Sequence, residues 1–593
     1  MVLVRNRGGA GLRLLLAGAA AWCGWFIFRS SFADSGKRVF CLLDDAMVAM
    51  TYARSLAAGH GLGWYGAGDP VEGFTQPLWM ALMVPVDALP LALRLRSLPV
   101  QLLSMAALLW NLVLVRRLTL RHFSTDRAHH WLPAAVLTAF YYPLSYAALM
   151  GLESGLQALL TTALVLLALD VVCAGEDRHR ELWLLCIAAF LVRMDMLPIV
   201  AVVQIYVLAK GGMRGPGRRA SWFRGAALFG AVLAACGAWR WVRFHDLLPN
   251  AWYLRFYRIP PAVRLLRGCV TLWAWTSDHL LLLAAVAAGY VAAAWPRRRG
   301  ASPALPAAPS APAARGEPLA GLAAPGVQPA GPTECGQQPA GLAARMELPA
   351  ALLLAACLTS VVAGGDALEA DLQPRANRFL VFAVPLLFVL WNGLINQAAG
   401  WLAERRPRDE DLRRFVVTLA TVLALAVADG LWLAADGAGN FMALLVGDLP
   451  AGVRSHAETY ASLLRLQAAL GPGRVVATGS PGMTAYFTGY RVVDLLGGNE
   501  RRIARSAPAV PLRPGDFADY VPGRAKWDHR YVLARYRPDA VLGWRGAGDP
   551  SPWLTAAGYR RVGDGELWLR AAPAGAPGPE LAAPAGPGTV PVP

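Results

Sequence analysis

The chain has 593 residues, of which 56% are hydrophobic and only 16% are charged, against about 25% charged residues in soluble domains. That balance excludes a water-soluble globular protein and leaves an integral membrane protein, with apolar blocks of about 17 to 25 residues that suit helical crossings. The net charge of +17 sits in Arg clusters between apolar blocks, so it reports membrane topology, with membrane lipids as partners and no nucleic acid.

Arg5, Arg7 and Arg13 precede the apolar run from Leu14 to Phe28, which reads as a retained first helix with a cytoplasmic N-terminus. Beyond it, Cys41-Leu42-Leu43-Asp44-Asp45-Ala46-Met47 carries two adjacent carboxylates on the outer face, opening a helix that runs to about Ala58. Neighbouring acids repel one another and cost desolvation, while the dipole end of a helix favours an ionised carboxylate. Three uses are open to the pair. They are a helix cap, a general base, or, with Glu72, oxygen ligands of a divalent cation, the one cofactor the sequence leaves room for.

Gly59 to Gly63 closes that helix, and Asp69-Pro70-Val71-Glu72-Gly73 forms a turn-rich loop in which Glu72 either lines a groove or binds its own turn. Gln76 to Leu89, interrupted by Pro77 and Pro85, suits a helix lying in the membrane interface. Further spans are expected from Leu98 to Val115, Trp131 to Leu149, Leu156 to Val172, Leu182 to Val192, Leu197 to Leu208 and Phe223 to Trp241. Val270 to Trp295, Leu352 to Ala363, Phe379 to Leu394 and Phe415 to Ala434 bring the total to about eleven at a crossing length near 20 residues.

Orienting the spans by their Arg clusters puts Asp44, Asp45, Glu72, Glu153, Asp195, Asp246 and Asp366 on the outer side. Glu153, Arg193 and Asp195 fall in or beside short apolar blocks, where an unpaired charge costs roughly 2.5 to 3.5 kcal/mol. A wet outer cavity is the expectation. Arg193 with Asp195 is either a structural ion pair or part of a binding site, Asn250 follows Pro249 as a helix cap would, and Asp366 is a second cavity acid or a turn residue. Arg378 either holds an anionic group or snorkels to the interface.

Residues 1–299 are thus expected to form a membrane core with its first outer loop at 30–97, and residues 349–436 further transmembrane helices. Residues 300–348, dominated by Ala, Pro and Gly, and 571–593, nearly all Ala, Pro and Gly, read as a disordered cytoplasmic loop and a disordered tail. Between them, residues 437–570 read as a small outer α/β domain. Asp448 to Leu470 is an amphipathic helix, Arg474 to Thr478 a buried strand, Tyr531 to Tyr536 a helix, and Ala540 to Trp544 and Glu566 to Leu569 strands. Its Tyr486, Phe487, Tyr490, Trp527 and Trp544 either bind glycan or form core. The eight cysteines show no CxxC spacing and look like small core residues. The fold class is mainly α, a polytopic helical core with a C-terminal α/β extracytoplasmic domain.

Several stretches together resemble the GT-C class of membrane glycosyltransferases, in the bacterial branch that includes the mycobacterial terminal arabinofuranosyltransferase. They are Asp44-Asp45-Ala46 with Tyr52-Ala53-Arg54, Gly59-His60-Gly61-Leu62, Val71 to Trp79, Gly151-Leu152-Glu153-Ser154, Arg193-Met194-Asp195, Leu247 to Tyr253, Gly364-Gly365-Asp366 and Arg378-Phe379-Leu380. Asp494 to Gly497, Tyr531-Val532-Leu533 and Arg537-Pro538-Asp539 fit in the outer domain. The sequence departs from the pattern at Arg255, where a Lys is usual, at Arg524-Ala525-Lys526, and in the length between Asp366 and Arg378.

The resemblance implies a bacterial inner-membrane enzyme that moves a sugar, with inversion, from a polyprenyl-phosphate donor to an outer glycan, lipid or protein acceptor. It implies Asp44 as general base, with Asp45 beside it as a cap or cation ligand. Tyr52, Arg54, Glu72, Glu153, Arg193, Asp195, Asn250, Asp366 and Arg378 would bind substrate. A secondary transporter would show repeated halves and helices broken at mid-membrane. The sequence has no convincing repeat, and its acids lie at helix ends. A non-catalytic envelope assembly protein docking through its outer domain is the third reading.

Overall fold

Apolar runs long enough to bury every backbone amide within one segment fold as helices, and they dominate the chain. A computed structural model describes residues 2–64, 70–123, 130–294, 342–366, 377–405, 416–424, 445, 450–544, 550–562 and 566–571. The expected disordered loop and tail lie almost wholly outside these residues, as does most of the expected last span. Among the described residues five helices are long and apolar enough to cross a membrane: Ala10–Arg29, Leu93–Phe123, Ser154–Cys173, Gly217–Phe244 and Leu342–Ala363.

Two further apolar pairs are sharply bent, which raises the number among the described residues to seven if each pair is one span, against the expected eleven, whose last span lies mostly outside them. Leu132–Phe140 and Tyr142–Leu149 meet at 52°, where Pro143 withholds an amide and ends the first helix. The run expected as one straight span from Val270 to Trp295 instead turns by 80° at His279, between Pro261–Asp278 and Leu280–Tyr290. The blocks expected after Leu182, Leu197 and Phe379 form the helices His179–Val192, Leu197–Ala209 and Val384–Arg405. At the basic end of the bundle, fully buried Asp170 takes Arg121 Nε at 2.7 Å and His122 Nε2 at 2.8 Å, so that acid is paired.

The first helix leads into a two-stranded hairpin that sequence patterning missed. Strands β1 (Phe32–Asp34) and β2 (Lys37–Val39) pair around Ser35 and Gly36, both at positive φ, the geometry of the tight turn that matches strand twist. The chain then reaches the helix Asp44–Ala57, whose start is tied down when Leu43 N donates to Met150 O at 3.0 Å. Gly151 permits this approach, because a Cβ there would lie 2.6 Å from Leu42 Cδ1.

Outside the bundle lies a five-stranded sheet of order β4-β3-β5-β7-β6. Its strands are β3 (Val475–Thr478), β4 (Arg491–Asp494), β5 (Ala540–Leu542), β6 (Tyr559–Arg561) and β7 (Leu567–Arg570). β3 runs parallel to β4 and β5, while β7 is antiparallel to both β5 and β6. The helix Ala451–Ala469 precedes the sheet, and Pro481–Thr488 connects β3 to β4. One buried cluster joins the helices Asp44–Ala57 and Pro77–Ala88 to Tyr486, Phe487, Val476 and Leu542, so the outer domain packs on the first outer loop as a core, not as a tethered bead.

Candidate functional site

A cavity of about 930 Å³ opens between the helix bundle and the sheet domain, the one expected from the sequence to be the outer domain. Its floor takes in Asp44, Asp45, Glu153, Arg193, Asp195, Arg240, Arg255 and Arg378, and its roof Ser480, Met483, Asp494, Asn499 and Arg524. Of the residues singled out in the sequence, Asp44, Asp45, Glu153, Arg193, Asp195 and Arg378 line this space.

Asp44 and Asp45 are adjacent in sequence and differ in surroundings. Asp44 Oδ1 accepts from the peptide N–H of Met483, 439 residues later, at 2.9 Å. Burial pushes its carboxyl up to about 7, against the lowering effect of the Met483 and Gly482 amides. The side chain of Asp45 is 55% exposed within the cavity, and its Oδ2 accepts from Arg378 at 2.7 Å. Burial works to raise the Asp45 carboxyl, but the Arg378 guanidinium outweighs it and holds the group below its ordinary value. Neither side chain caps its own helix by a side-chain hydrogen bond.

Arg378 is the hub of the floor. Besides Asp45, its Nε lies 2.9 Å from Asp366 Oδ1 and its peptide N–H donates to Asp366 Oδ2 at 3.0 Å. Gly364 and Gly365, both at φ +83°, end the helix Leu342–Ala363 and turn Asp366 under this arginine. Arg255 donates to Gly365 O at 3.1 Å and stands 3.7 Å from Asp366. Burial, and then the Arg378 charge, lower the Arg255 guanidinium to about 10. Against burial, Asp366 and Asp45 raise the Arg378 guanidinium instead, so it is Arg255 whose charge an added anion would favour. Phe379 lies between guanidiniums, 5.0 Å from that of Arg193 and 5.2 Å from that of Arg255.

The charges expected to need a wet cavity are paired. Arg193 donates to Glu153 at 2.6 Å and lies 2.8 Å from Asp195, bridging two helix ends. Asp366 sits behind Arg378, and Glu72 behind Arg240, whose Nε lies 3.0 Å from both Glu72 oxygens. Arg240, inside an apolar block, was missed, although the cue that singled out Arg193 applies to it equally.

Tyr52, Arg54 and Asn250 brace the wall from outside the cavity. Tyr52 donates to Val71 O at 2.7 Å and to Asn499 Oδ1 at 3.2 Å, and Arg54 donates to Tyr486 O at 2.6 Å. Asn250 Nδ2 donates to Gly497 O at 2.7 Å and Gly498 O at 3.0 Å, pinning the turn that follows β4. Asp494 sits inside that turn, accepting from the amides of Leu496 and Asn499, and burial raises its carboxyl. Lys526 is fully buried and donates to the carbonyls of Tyr253, Tyr257 and Ala504. Among the outer aromatic residues, Tyr486, Phe487 and Tyr490 are buried, while Trp527 and Trp544 stack against His529 and are half-buried.

The oxygen set named for a divalent cation does not assemble. Asp44, Asp45 and Glu72 each have their own partner, Glu72 lies outside the cavity lining, and among the described residues no group of three or more His, Cys, Asp or Glu is placed to hold a metal.

Two crystal structures of ArnT from Cupriavidus metallidurans share the fold. The apo structure aligns with a TM-score of 0.50 at 12% identity over 95% of this chain and 97% of ArnT. The structure bound to undecaprenyl phosphate aligns at 0.51 and 13% identity, over 94% and 97%. The chain therefore shares the fold of ArnT. Residues 452–577 match a domain of unknown function, DUF8728. No curated protein matches the chain.

Proposed function

We propose that this chain is an inner-membrane glycosyltransferase that moves a sugar from a polyprenyl-phosphate donor to a hydroxyl on an outer glycan, lipid or protein, with inversion. The observation that carries the reading is the meeting, in one cavity, of the half-buried Asp44 carboxylate, held by the Met483 amide and raised toward neutrality, and two arginines, Arg255 and Arg378. The ArnT fold supports it, since one of the ArnT structures holds a polyprenyl phosphate. Arabinofuranose, which the sequence resemblance names, is the sugar to test first.

In this reading Asp44, ionised, takes the proton of the acceptor hydroxyl as its oxygen attacks the anomeric carbon. The bond from that carbon to the donor phosphate oxygen breaks on the opposite face, and the electron pair leaves with the phosphate. Arg378 and Arg255 hold the charge that develops there. Asp45 keeps Arg378 extended toward the space, and Glu153 with Asp195 fixes Arg193 beside it. Tyr52, Arg54, Glu72, Asn250 and Asp366 act on substrate through the groups they brace. The N-terminus is cytoplasmic and the outer domain extracytoplasmic. Turnover of a polyprenyl-phosphoryl arabinofuranose by the purified full chain tests the reading. Release of polyprenyl phosphate with a new glycosidic bond supports it, and uptake of a solute without bond transfer sinks it.

A further inference from the structure

We infer that the outer domain is part of the reaction centre: the first turn of the helix Pro481–Thr488 positions the Asp44 carboxylate, and Gly482 is the residue that lets the two come close enough. This rests on Asp44 being the base. The outer sheet has the order β4-β3-β5, so the chain leaves β3 for one neighbour and later returns to the other side of it. In open sheets of this kind, ligands bind at the carboxyl ends of the strands, and anions sit against the free peptide N–H groups of the helix that follows the first strand.

Here Gly479 and Ser480 lead straight from β3 into the helix Pro481–Thr488, and both line the cavity. Thr484 N donates to Ser480 O at 3.3 Å, whereas the N–H of Met483 goes to Asp44 Oδ1 at 2.9 Å. The Gly482 amide faces the same carboxylate. The place that a bound anion would take in such a fold is filled by a side chain of the membrane part. The approach leaves no room for another residue at 482, where a Cβ would lie 2.2 Å from Asp44 O and 2.6 Å from Val48 N. Both are backbone atoms and cannot swing aside. Toward the other ends of the two helices, Arg54 donates to Tyr486 O, which fixes their relative position. Asp44 stays aimed at the cavity while the outer domain is seated.

Met483→Pro deletes the donating N–H at a first-turn position, where proline is tolerated, and Met483→Ala removes the same side chain but keeps the N–H. With a polyprenyl-phosphoryl arabinofuranose donor and a synthetic octyl arabinofuranoside acceptor, kcat of Met483→Pro falls about 10²-fold below that of Met483→Ala, with both KM values unchanged. Equal kcat in the two folded variants overturns the inference. If Met483→Pro does not fold, or the wild type does not turn over that donor, thermal unfolding of Asp44→Asn and Asp44→Ala decides. The Asn carbonyl still accepts the Met483 N–H and Ala leaves it unpaired, so Asp44→Ala unfolds at the lower temperature; equal temperatures overturn the inference. Full activity of Asp44→Asn would remove the base reading alone and leave this comparison standing.

Discussion

The two walls of the cavity hold their carboxylates by different means. On the membrane side, charge is matched by charge: Asp45 and Asp366 meet Arg378, Glu153 and Asp195 meet Arg193, and Glu72 meets Arg240. On the outer-domain side, peptide N–H groups do the work: Met483 serves Asp44, and Leu496 and Asn499 serve Asp494. A guanidinium neutralises an acid and lowers its proton affinity, whereas a few amides orient a buried acid and leave it able to take a proton near pH 7. Asp44 and Asp45 are therefore not a symmetric pair, and the proposed function gives the removal of a proton to the first.

That contrast breaks most severely where a buried ion pair loses one member. Glu72→Ala takes the carboxylate away from buried Arg240 and is expected to cost about 3 to 5 kcal/mol of stability, measured as denaturant unfolding in detergent. A loss below about 1 kcal/mol, the range of surface pairs, would mean that this wall is open to water. Next comes Arg378→Ala, which removes the cation that the proposed function sets against the leaving phosphate and should lower kcat about 10²- to 10³-fold. A Lys at that position restores the charge without the forked geometry, so partial rescue separates the charge from the hydrogen bonds.

The pH profile sharpens the same distinction. As the proposed base Asp44 acts ionised, and burial raises its carboxyl to about 7, so activity should climb tenfold per pH unit below that point and level off above it. Asp45 is held ionised by Arg378 across this range and helps to raise Asp44, so Asp45→Asn should keep the limb but move it toward lower pH. A profile flat from pH 5 to 8 contradicts the assignment. The smallest effect is expected at Tyr52, which touches only the wall. Tyr52→Phe loses the bonds to Val71 O and Asn499 and should cost about 1 kcal/mol of stability, with kcat retained.

Much of the floor was legible in the sequence because charges inside apolar blocks are conspicuous: Arg193, Glu153, Asp195 and Arg378 stood out and line one space. Arg240 offered the same signal and was overlooked in the run from Phe223 to Trp241. The outer strands β3, β5 and β7 were readable as short apolar runs. The hairpin β1–β2 was not, since three-residue strands carry too little periodicity, although Ser35-Gly36 is a turn signal. The edge strand β6 is exposed at two of its three residues and shows no apolar run. The role of Gly482 was invisible in principle, because it depends on a contact with Asp44 across more than four hundred residues. The eleven spans followed from counting apolar blocks, and such counting takes in blocks whose helices are short, His179–Val192 and Leu197–Ala209, while the 80° turn after Asp278 left no mark in the run from Val270 to Trp295.

The most direct test is sugar transfer by Asp44→Asn and Asp45→Asn side by side, in full-length protein of unchanged fold, with a polyprenyl-phosphoryl arabinofuranose donor. The account predicts that Asp44→Asn loses about 10²- to 10⁴-fold in kcat while Asp45→Asn keeps the larger share of its turnover. Equal activity in Asp44→Asn and wild type, or a loss confined to Asp45→Asn, would contradict it.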